Sequence, residues 1–408
     1  MKVLVLSATT GGGHMRAAQA LKECIMRHEP DSEVMIIDAI QYISPILNKT
    51  VAGGYVYMAK NTPQMYGSMY KASDKETNPL NHTVTLATTQ FGKRLLPLID
   101  EFKPDILVST HSFACEFAAG LKVKGLIDVP LVSIITDFAT HQTYLTDGVD
   151  AYIVSNQEMI NEMVSRGVLR SRIYDFGIPV HQAFYQRGDR KALLEAEGLN
   201  PDIPTILIMA GSFGVTDVLK IYHKIVKSPV DFQIVVITGK NEKLFETFER
   251  YLRKLEVNNA IYHMKKDVSE EDDAKLFMRA SRKIKESKPT RLLYYTDKVE
   301  QYMQMADLIV TKPGGLTVSE AIVSDLPMAI FKAIPGQEEQ NASFLVGKGM
   351  AVRLEKKDSC TKMITRLFTE ENLLADMKKA VHDFNRGNSA ENLYQLMVQI
   401  ISEKSKKE

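Results

Sequence analysis

Residues 1–14 read Met1-Lys2-Val3-Leu4-Val5-Leu6-Ser7-Ala8-Thr9-Thr10-Gly11-Gly12-Gly13-His14. The apolar run Val3–Leu6 has no polar alternation, which marks a strand covered on both faces, as in parallel sheets. Behind it, Ala18, Leu21 and Ile25 fall on one helical stripe. The glycines between strand and helix permit positive φ and close approach of a ligand, while the helix N-terminus offers free N–H groups and partial positive charge. A strand, a glycine turn and a helix in this order open a Rossmann-like α/β unit.

The same rhythm continues outward. Further strands are expected at Val34–Ile37, Ile106–Ser109, Leu131–Thr136 and Tyr152–Val154, separated by helical periodicity. It halts near Gly177-Ile178-Pro179 and a polar stretch over 186–204, then restarts. The second series places strands at Thr205–Met209, Gln233–Thr238, Ala260–His263, Arg291–Tyr295, Leu308–Thr311 and Met328–Phe331. Two α/β units of similar size therefore predict two domains, 1–185 and 200–385, with 386–408 as a C-terminal helix able to pack back on the first. A chain of 408 residues is in any case too long for one ordinary core of about 150 residues. Ligands of such sheets sit beyond the carboxyl ends of the strands, so the expected site is the cleft between the domains.

Composition excludes several classes. With 45% hydrophobic and 25% charged residues the chain is neither disordered nor fibrous. Lys and Arg number 51 against 50 Asp and Glu, a formal net of +1, which gives no electrostatic footprint for nucleic acid. Three cysteines without a CxxC pattern fit a reducing compartment. Residues 1–6 are too short for a signal peptide, and no apolar run approaches the roughly 20 residues of a spanning helix. Any membrane contact is then expected to be peripheral.

Four further stretches carry chemistry. His14 enters its helix where the dipole biases an imidazole towards the neutral form, which suits a general base, or else it helps to cap the turn. Gly11, Gly12 and Gly13 partly match a dinucleotide fingerprint, with Asp38 near the distance for a ribose, but Arg16 replaces the third glycine. Lys312-Pro313-Gly314-Gly315-Leu316-Thr317-Val318-Ser319-Glu320 is a second strand–glycine–helix junction fit for a diphosphate. In it, Glu320 either closes a capping box with Thr317 or accepts from a ribose diol. Pro335-Gly336-Gln337-Glu338-Glu339-Gln340-Asn341 sets amides and carboxylates at a helix start, a composition that binds vicinal hydroxyls or forms a polar surface turn. Met209-Ala210-Gly211-Ser212-Phe213-Gly214 repeats the strand-to-glycine pattern.

Two segments interrupt the rhythm. Residues 41–95 form a long insert rich in Tyr and Met, with six basic residues (Lys49, Lys60, Lys71, Lys75, Lys93, Arg94) against Asp74 and Glu76. Residues 265–288 mix charges of both signs and read as a solvated helical insertion.

Gly11-Gly12-Gly13-His14, Thr136-Asp137-Phe138, Ala210-Gly211-Ser212-Phe213-Gly214, Lys312-Pro313-Gly314-Gly315 with Glu320, and Pro335-Gly336-Gln337-Glu338 with Asn341 occur in that order. This series resembles the diacylglycerol glycosyltransferases, the bacterial processive glucosyltransferases and the plant monogalactosyldiacylglycerol synthases. More distantly it is similar to the lipid-linked N-acetylglucosaminyltransferase of peptidoglycan synthesis. The resemblance implies an α/β GT-B fold, with two Rossmann-like domains facing an interdomain cleft. It implies transfer of a hexose from a UDP-sugar to diacylglycerol or glycosyldiacylglycerol with inversion, making membrane glycolipid with no bound metal and no cofactor. The alternatives on this fold are polyprenyl-linked N-acetylglucosaminyl transfer and UDP-N-acetylglucosamine 2-epimerisation.

Residue by residue, the resemblance makes His14 the base candidate, with Gly11, Gly12 and Gly13 as its loop. Asp137, at the end of the strand Leu131–Thr136, either orients that base or binds acceptor, or is an ordinary helix cap, and His111 is similarly placed after the strand Ile106–Ser109. Glu320 would hold the ribose. Gln337, Glu338 and Asn341 would face sugar and diphosphate, and Tyr295-Thr296 would present backbone to the uracil. Gly211, Ser212, Gly314, Gly315 and Thr317 would bracket the diphosphate. The lipid acceptor gives the insert a purpose: Lys49, Lys60, Lys71 and Lys75 among Tyr and Met suit an anionic membrane surface. The enzyme is then expected in the cytoplasm, on the inner face of the cell membrane.

Overall fold

The computed structural model describes residues 1–9, 12–46, 54, 58, 61–74, 90–209, 218–265, 288–331, 333–354 and 359–406. Among them, two parallel six-stranded sheets form the frame. The first contains β1 (Lys2–Ser7), β2 (Glu33–Asp38), β3 (Ile106–Ser109), β4 (Leu131–Ile134), β5 (Ala151–Ile153) and β6 (Ile173–Tyr174), in the order β2-β1-β3-β4-β5-β6. The second contains β7 (Thr205–Met209), β8 (Gln233–Ile237), β9 (Thr290–Leu293), β10 (Leu308–Thr311), β11 (Met328–Ile330) and β12 (Ala351–Arg353), in the order β12-β11-β10-β7-β8-β9. The helices that build the cleft and its surroundings are, in chain order, α1 (Gly13–His28), α2 (Pro63–Ser73), α3 (Ser112–Val123), α4 (Glu242–Lys265), α5 (Gly315–Val323), α6 (Gln337–Gly347) and α7 (Ser389–Ser405).

Strand alternation explains why the central strands are mostly apolar. In β1, Leu4 and Leu6 enter the core on one face of the sheet while Val3 and Val5 enter the core on the other. In β7, Leu207 and Met209 face one core and Ile206 and Ile208 the opposite one. A strand buried on both faces leaves few positions for a polar side chain, and those present, such as Ser133 and Gln233, are buried too. Helix α1 buries the expected stripe Ala18, Leu21 and Ile25.

Strand order locates the ligand crevice. The first sheet reverses direction between β1 and β3, and the second between β7 and β10. At such switch points the flanking helices diverge and leave a crevice beyond the carboxyl ends of the strands. The turns leading into α1, α3 and α5 all lie there.

Helix α7 returns to the first sheet. Its Ala390, Leu393, Leu396 and Met397 are buried with Val3, Val5, Leu21 and Ile25. Tyr394 donates to Glu29 at 2.9 Å, and Ser389 donates to the Gly177 carbonyl at 2.6 Å.

One expected strand is absent. Ala260–His263 lies inside helix α4, a 24-residue helix. No glycine or proline interrupts Glu242–Lys265, and the position beside β8 is taken by β9. A short apolar run is ambiguous between strand and buried helix, and here the uninterrupted helical context wins. Of the 265–288 insertion, 266–287 lie outside the described residues.

Candidate active site

His14 sits at the first switch point. Its Nδ1 lies 2.7 Å from the Thr110 carbonyl, which follows β3, and 2.9 Å from Thr136 Oγ1, which follows β4. A carbonyl oxygen only accepts, so Nδ1 carries the proton and Nε2 holds the lone pair. Burial holds the imidazole below its ordinary pKa, opposed in part by the Thr110 bond. At neutral pH the ring is therefore an uncharged base with a fixed tautomer. The turn before it is left-handed at Gly12, φ +73°; Gly11 lies outside the described residues.

His111 lies edge-on to His14, with ring centroids 4.8 Å apart. Its Nδ1 accepts from the Phe113 N–H and caps α3. Burial first, then the neighbouring His14 charge, push its pKa well down. It is a neutral capping residue against which the His14 ring rests.

Thr136 is the hinge between the two halves. Its hydroxyl meets His14, and its carbonyl faces Gly315 at the start of α5. A Cβ on Gly315 would sit 1.9 Å from that oxygen, so only glycine allows this approach. Alongside, a Cβ on Gly13 would rest 3.6 Å from Leu316 Cβ. The N-terminal ends of α1 and α5 thus face each other across the cleft. Helix α5 starts with Gly314 as N-cap and has no side-chain cap, which leaves first-turn N–H groups, that of Thr317 included, for a ligand. Among the described residues, nothing lies within 4 Å of a Cβ built on Gly314.

Asp137 follows Thr136 and reaches the second half instead of His14. Its Oδ1 accepts from Asn341 Nδ2 at 3.1 Å and its Oδ2 from the Tyr144 hydroxyl at 3.4 Å. Burial raises its pKa to about 6, against the lowering effect of those two donors. Asn341 is fully buried. Its Oδ1 accepts from the Phe138 N–H at 2.8 Å, and Nδ2 also donates to the Pro313 carbonyl at 3.0 Å. Every polar atom of Asn341 thus has a protein partner, and it pins strand end, glycine turn and α6 together.

Glu320 is buried on α5 with one oxygen paired and one not. Arg16 donates to Oε1 at 3.1 Å from α1, whereas Oε2 is buried with no partner among the described residues. Burial raises its pKa and Arg16 opposes the rise. Because α5 begins at Gly315, Thr317 lies inside the helix and the capping-box arrangement is absent. Asp38, the other ribose candidate, accepts from the Gln41 N–H and from the Thr9 N–H and hydroxyl. Its role is to cap a helix and hold the start of the glycine turn.

The remaining donor-side residues divide. Glu338 Oε2 accepts from the Ile334 N–H at 2.9 Å, and Oε1 pairs with Lys312 at 3.5 Å. Gln337 Oε1 accepts from the Tyr66 hydroxyl at 3.1 Å. Tyr295 is 56% exposed under the Lys240 ammonium, 5.3 Å from its ring, and Thr296 Oγ1 accepts from the Lys298 N–H. Gly211 and Ser212 lie outside the described residues, as do Lys49, Lys60 and Lys75; Lys71 is exposed on α2. Sequence reading missed Thr136, Arg16 and Tyr66 as site residues, because each acts through a partner more than a hundred positions away.

Among the described residues, Cys24, His28 and Glu391 bring metal-type ligands together where α1 meets α7. The Arg27 guanidinium lies 3.5 Å from Cys24 Sγ and 3.3 Å from Glu391 Oε2. Burial, aided by the Glu391 charge, raises the thiol to about 11. The cluster is an ion-paired seam whose cation is arginine. No described helix is long and apolar enough to cross a membrane.

Comparison with known proteins agrees with this layout. The model of the monogalactosyldiacylglycerol synthase family matches residues 14–180, and that of the glycosyltransferase family 28 C-terminal domain matches 258–393. The chain is similar to a protein named processive diacylglycerol beta-glucosyltransferase from Bacillus subtilis, 27% identical over 391 residues, 96% of this chain and 93% of that one. Its counterpart from Staphylococcus carnosus is 28% identical over 94% of this chain and 88% of its own length. Among solved structures, MurG of Acinetobacter baumannii aligns with a TM-score of 0.56 at 14% identity over 98% of this chain and 99% of its own. The UDP-GlcNAc 2-epimerase of Neisseria meningitidis aligns with 0.56 at 13% identity over 98% of this chain and 100% of its own. These two likenesses establish the fold, GT-B. The chain belongs to the diacylglycerol glycosyltransferase family, with a monogalactosyldiacylglycerol synthase-type first half and a family 28 C-terminal domain.

Proposed function

We propose that this protein is a UDP-sugar-dependent hexosyltransferase that moves the sugar to diacylglycerol or glycosyldiacylglycerol with inversion, building membrane glycolipid. The carrying observation is the junction at Thr136. Its hydroxyl contacts the His14 imidazole, and its carbonyl touches the first residue of α5. Base and leaving-group site thereby meet at one residue.

In this reading UDP lies along the second switch point. The unpartnered Glu320 Oε2 accepts from a ribose hydroxyl, and the diphosphate caps α5 over Gly314, Gly315 and Thr317. Helix N–H groups and the dipole meet the charge that develops on UDP, with no requirement for a metal ion. His14 Nε2 takes the proton of the lipid hydroxyl. The freed oxygen attacks the anomeric carbon from the face opposite UDP, and the bond from that carbon to the β-phosphate oxygen breaks. Asp137 shapes the acceptor side while held by Asn341 and Tyr144.

The same reading puts the protein on an anionic membrane surface in the cytoplasm, as a peripheral enzyme. Met65 and Met69, one helical turn apart on α2, are 56% and 49% exposed, and Lys71 of the same helix is exposed too. The deciding experiment is incubation with UDP-glucose or UDP-galactose and diacylglycerol vesicles, with products separated by mass. A monoglycosyl- or diglycosyldiacylglycerol supports the reading. Conversion of UDP-N-acetylglucosamine without lipid product overturns it.

A further inference from the structure

Helix α2 belongs to the first half of the chain, yet its two tyrosines end on the second. The Tyr66 hydroxyl lies 3.1 Å from Gln337 Oε1, and that of Tyr70 lies 2.9 Å from Gln340 Oε1. The backbones are moulded to each other. A Cβ on Gly67 would lie 2.6 Å from Pro335 Cβ, and one on Gly336 would lie 3.1 Å from both tyrosine rings. Gly336 itself has φ +108°, so the turn that starts α6 exists only as glycine against this helix.

The contact is braced from behind. His141 packs on the Tyr70 ring at 4.2 Å, and Arg166 pairs with Asp74 at 2.8 Å at the end of α2. Burial, reinforced by the Asp137 charge, pushes both tyrosine pKa values up. Each hydroxyl therefore stays protonated and donates. In the Gln337 contact the amide oxygen faces α2, and the NH₂ group, two donors on the other side, faces away.

We propose that Tyr66 is a positioning residue for the donor sugar. It holds the Gln337 amide so that its NH₂ group is presented to a hydroxyl of the transferred hexose, which makes a helix of the acceptor half a determinant of sugar recognition in the donor half. This rests on the reading in which Gln337 faces the sugar. Glucose and galactose differ in the orientation of one hydroxyl, and an amide locked in one orientation distinguishes them where a freely rotating one accepts either.

The test uses Tyr66→Phe in the full chain, which keeps the ring against Gly336 and removes only the donor. Calorimetry with UDP, UDP-glucose and UDP-galactose measures what the sugar adds to nucleotide affinity, and it does so whether or not diacylglycerol is the acceptor. UDP affinity should stay within twofold. Affinity for the preferred UDP-sugar should fall about tenfold, as for one lost oriented hydrogen bond, and the ratio between the two sugars should contract. Gln337→Ala should reproduce this pattern, and the double variant should lose nothing further. Unchanged sugar affinities in Tyr66→Phe, an equal loss for UDP alone, or full additivity with Gln337→Ala would each overturn the proposal. Absence of glycolipid product with these binding results intact would instead count against the acceptor assignment alone.

Discussion

Arg16 and Glu320 meet across the cleft at 3.1 Å, and the pair leaves Glu320 Oε2 buried without a partner among the described residues. A buried acceptor left open carries a desolvation cost that a ligand hydroxyl can relieve. Glu320→Ala should therefore weaken UDP binding by about 1–3 kcal/mol, the range for an unpaired buried partner. The melting temperature should not drop with it, because α5 starts at Gly315 and Glu320 caps nothing. Titration calorimetry beside a thermal melt reads both; a melting loss without an affinity loss would return Glu320 to a structural role.

His14 should behave as a base that is already neutral below the usual histidine range. Since burial lowers its pKa, the acid limb of the transfer rate should lie beneath pH 6.5, and activity should be level from pH 7 to 8. His14→Ala should cut the rate by about 10²–10⁴-fold, the usual worth of a positioned base, while UDP affinity changes only a few-fold. A single-turnover pH profile with its midpoint above 7 would exclude the assignment.

Asp137 gives a separate pH signature in stability. Its carboxyl is raised to about 6 in the folded protein, so the fold favours the protonated form. That stabilisation is complete below the ordinary aspartate pKa and is lost as pH rises through about 6. Asp137→Asn keeps an acceptor for Asn341 and should remove this dependence. The variant should gain on the order of 2–3 kcal/mol over wild type at pH 8 and nothing at pH 4. Equal stabilities at both pH values in denaturant titrations would show that the carboxylate is not desolvated.

The sheets were legible from sequence because strands buried on both faces cannot hide their composition. The turns were legible because Gly12 and Gly315 answer to backbone needs that no other residue meets. Ala260–His263 misled because four residues are too few to carry a period of their own. Glu320 was ambiguous for a different reason: Thr317-x-x-Glu320 spells a capping box only if the helix starts at Thr317, and the start at Gly315 is set by contact with Thr136. Tyr66 gave a visible signal, paired with Tyr70 at helical spacing, but its partner Gln337 stands 271 positions away. No local pattern joins them.

The two glycines of the second turn should separate packing from ligand binding. Gly315→Ala places a methyl 1.9 Å from the Thr136 carbonyl, so α5 must retreat from the first sheet. Loss of several degrees in melting temperature and of nearly all transfer is expected. Gly314→Ala meets nothing within 4 Å among the described residues, so its melt should match wild type. If the diphosphate packs against this backbone, UDP affinity should fall in Gly314→Ala all the same. Wild-type affinity there would move the diphosphate elsewhere.

Helix α2 should also report on membrane contact, because its two faces do different work. Tyr66 and Tyr70 face the donor turn, whereas Met65 and Met69 are exposed. The whole chain carries only +1, so general attraction to anionic lipid is weak. The insert over 41–95 concentrates six basic residues against two acidic ones, each worth roughly 1 kcal/mol near an anionic surface. Changing Lys49, Lys60, Lys71 and Lys75 to Glu should reduce co-sedimentation with anionic vesicles, with the loss largest at low salt where screening is least. Met65→Ser with Met69→Ser should reduce it at every salt concentration, since apolar insertion is not screened. Both variants should keep wild-type UDP affinity, because both leave Tyr66, Gln337 and Glu320 unchanged. If both sediment like wild type at about 0.1 M salt, the lipid-facing surface lies on another part of the molecule.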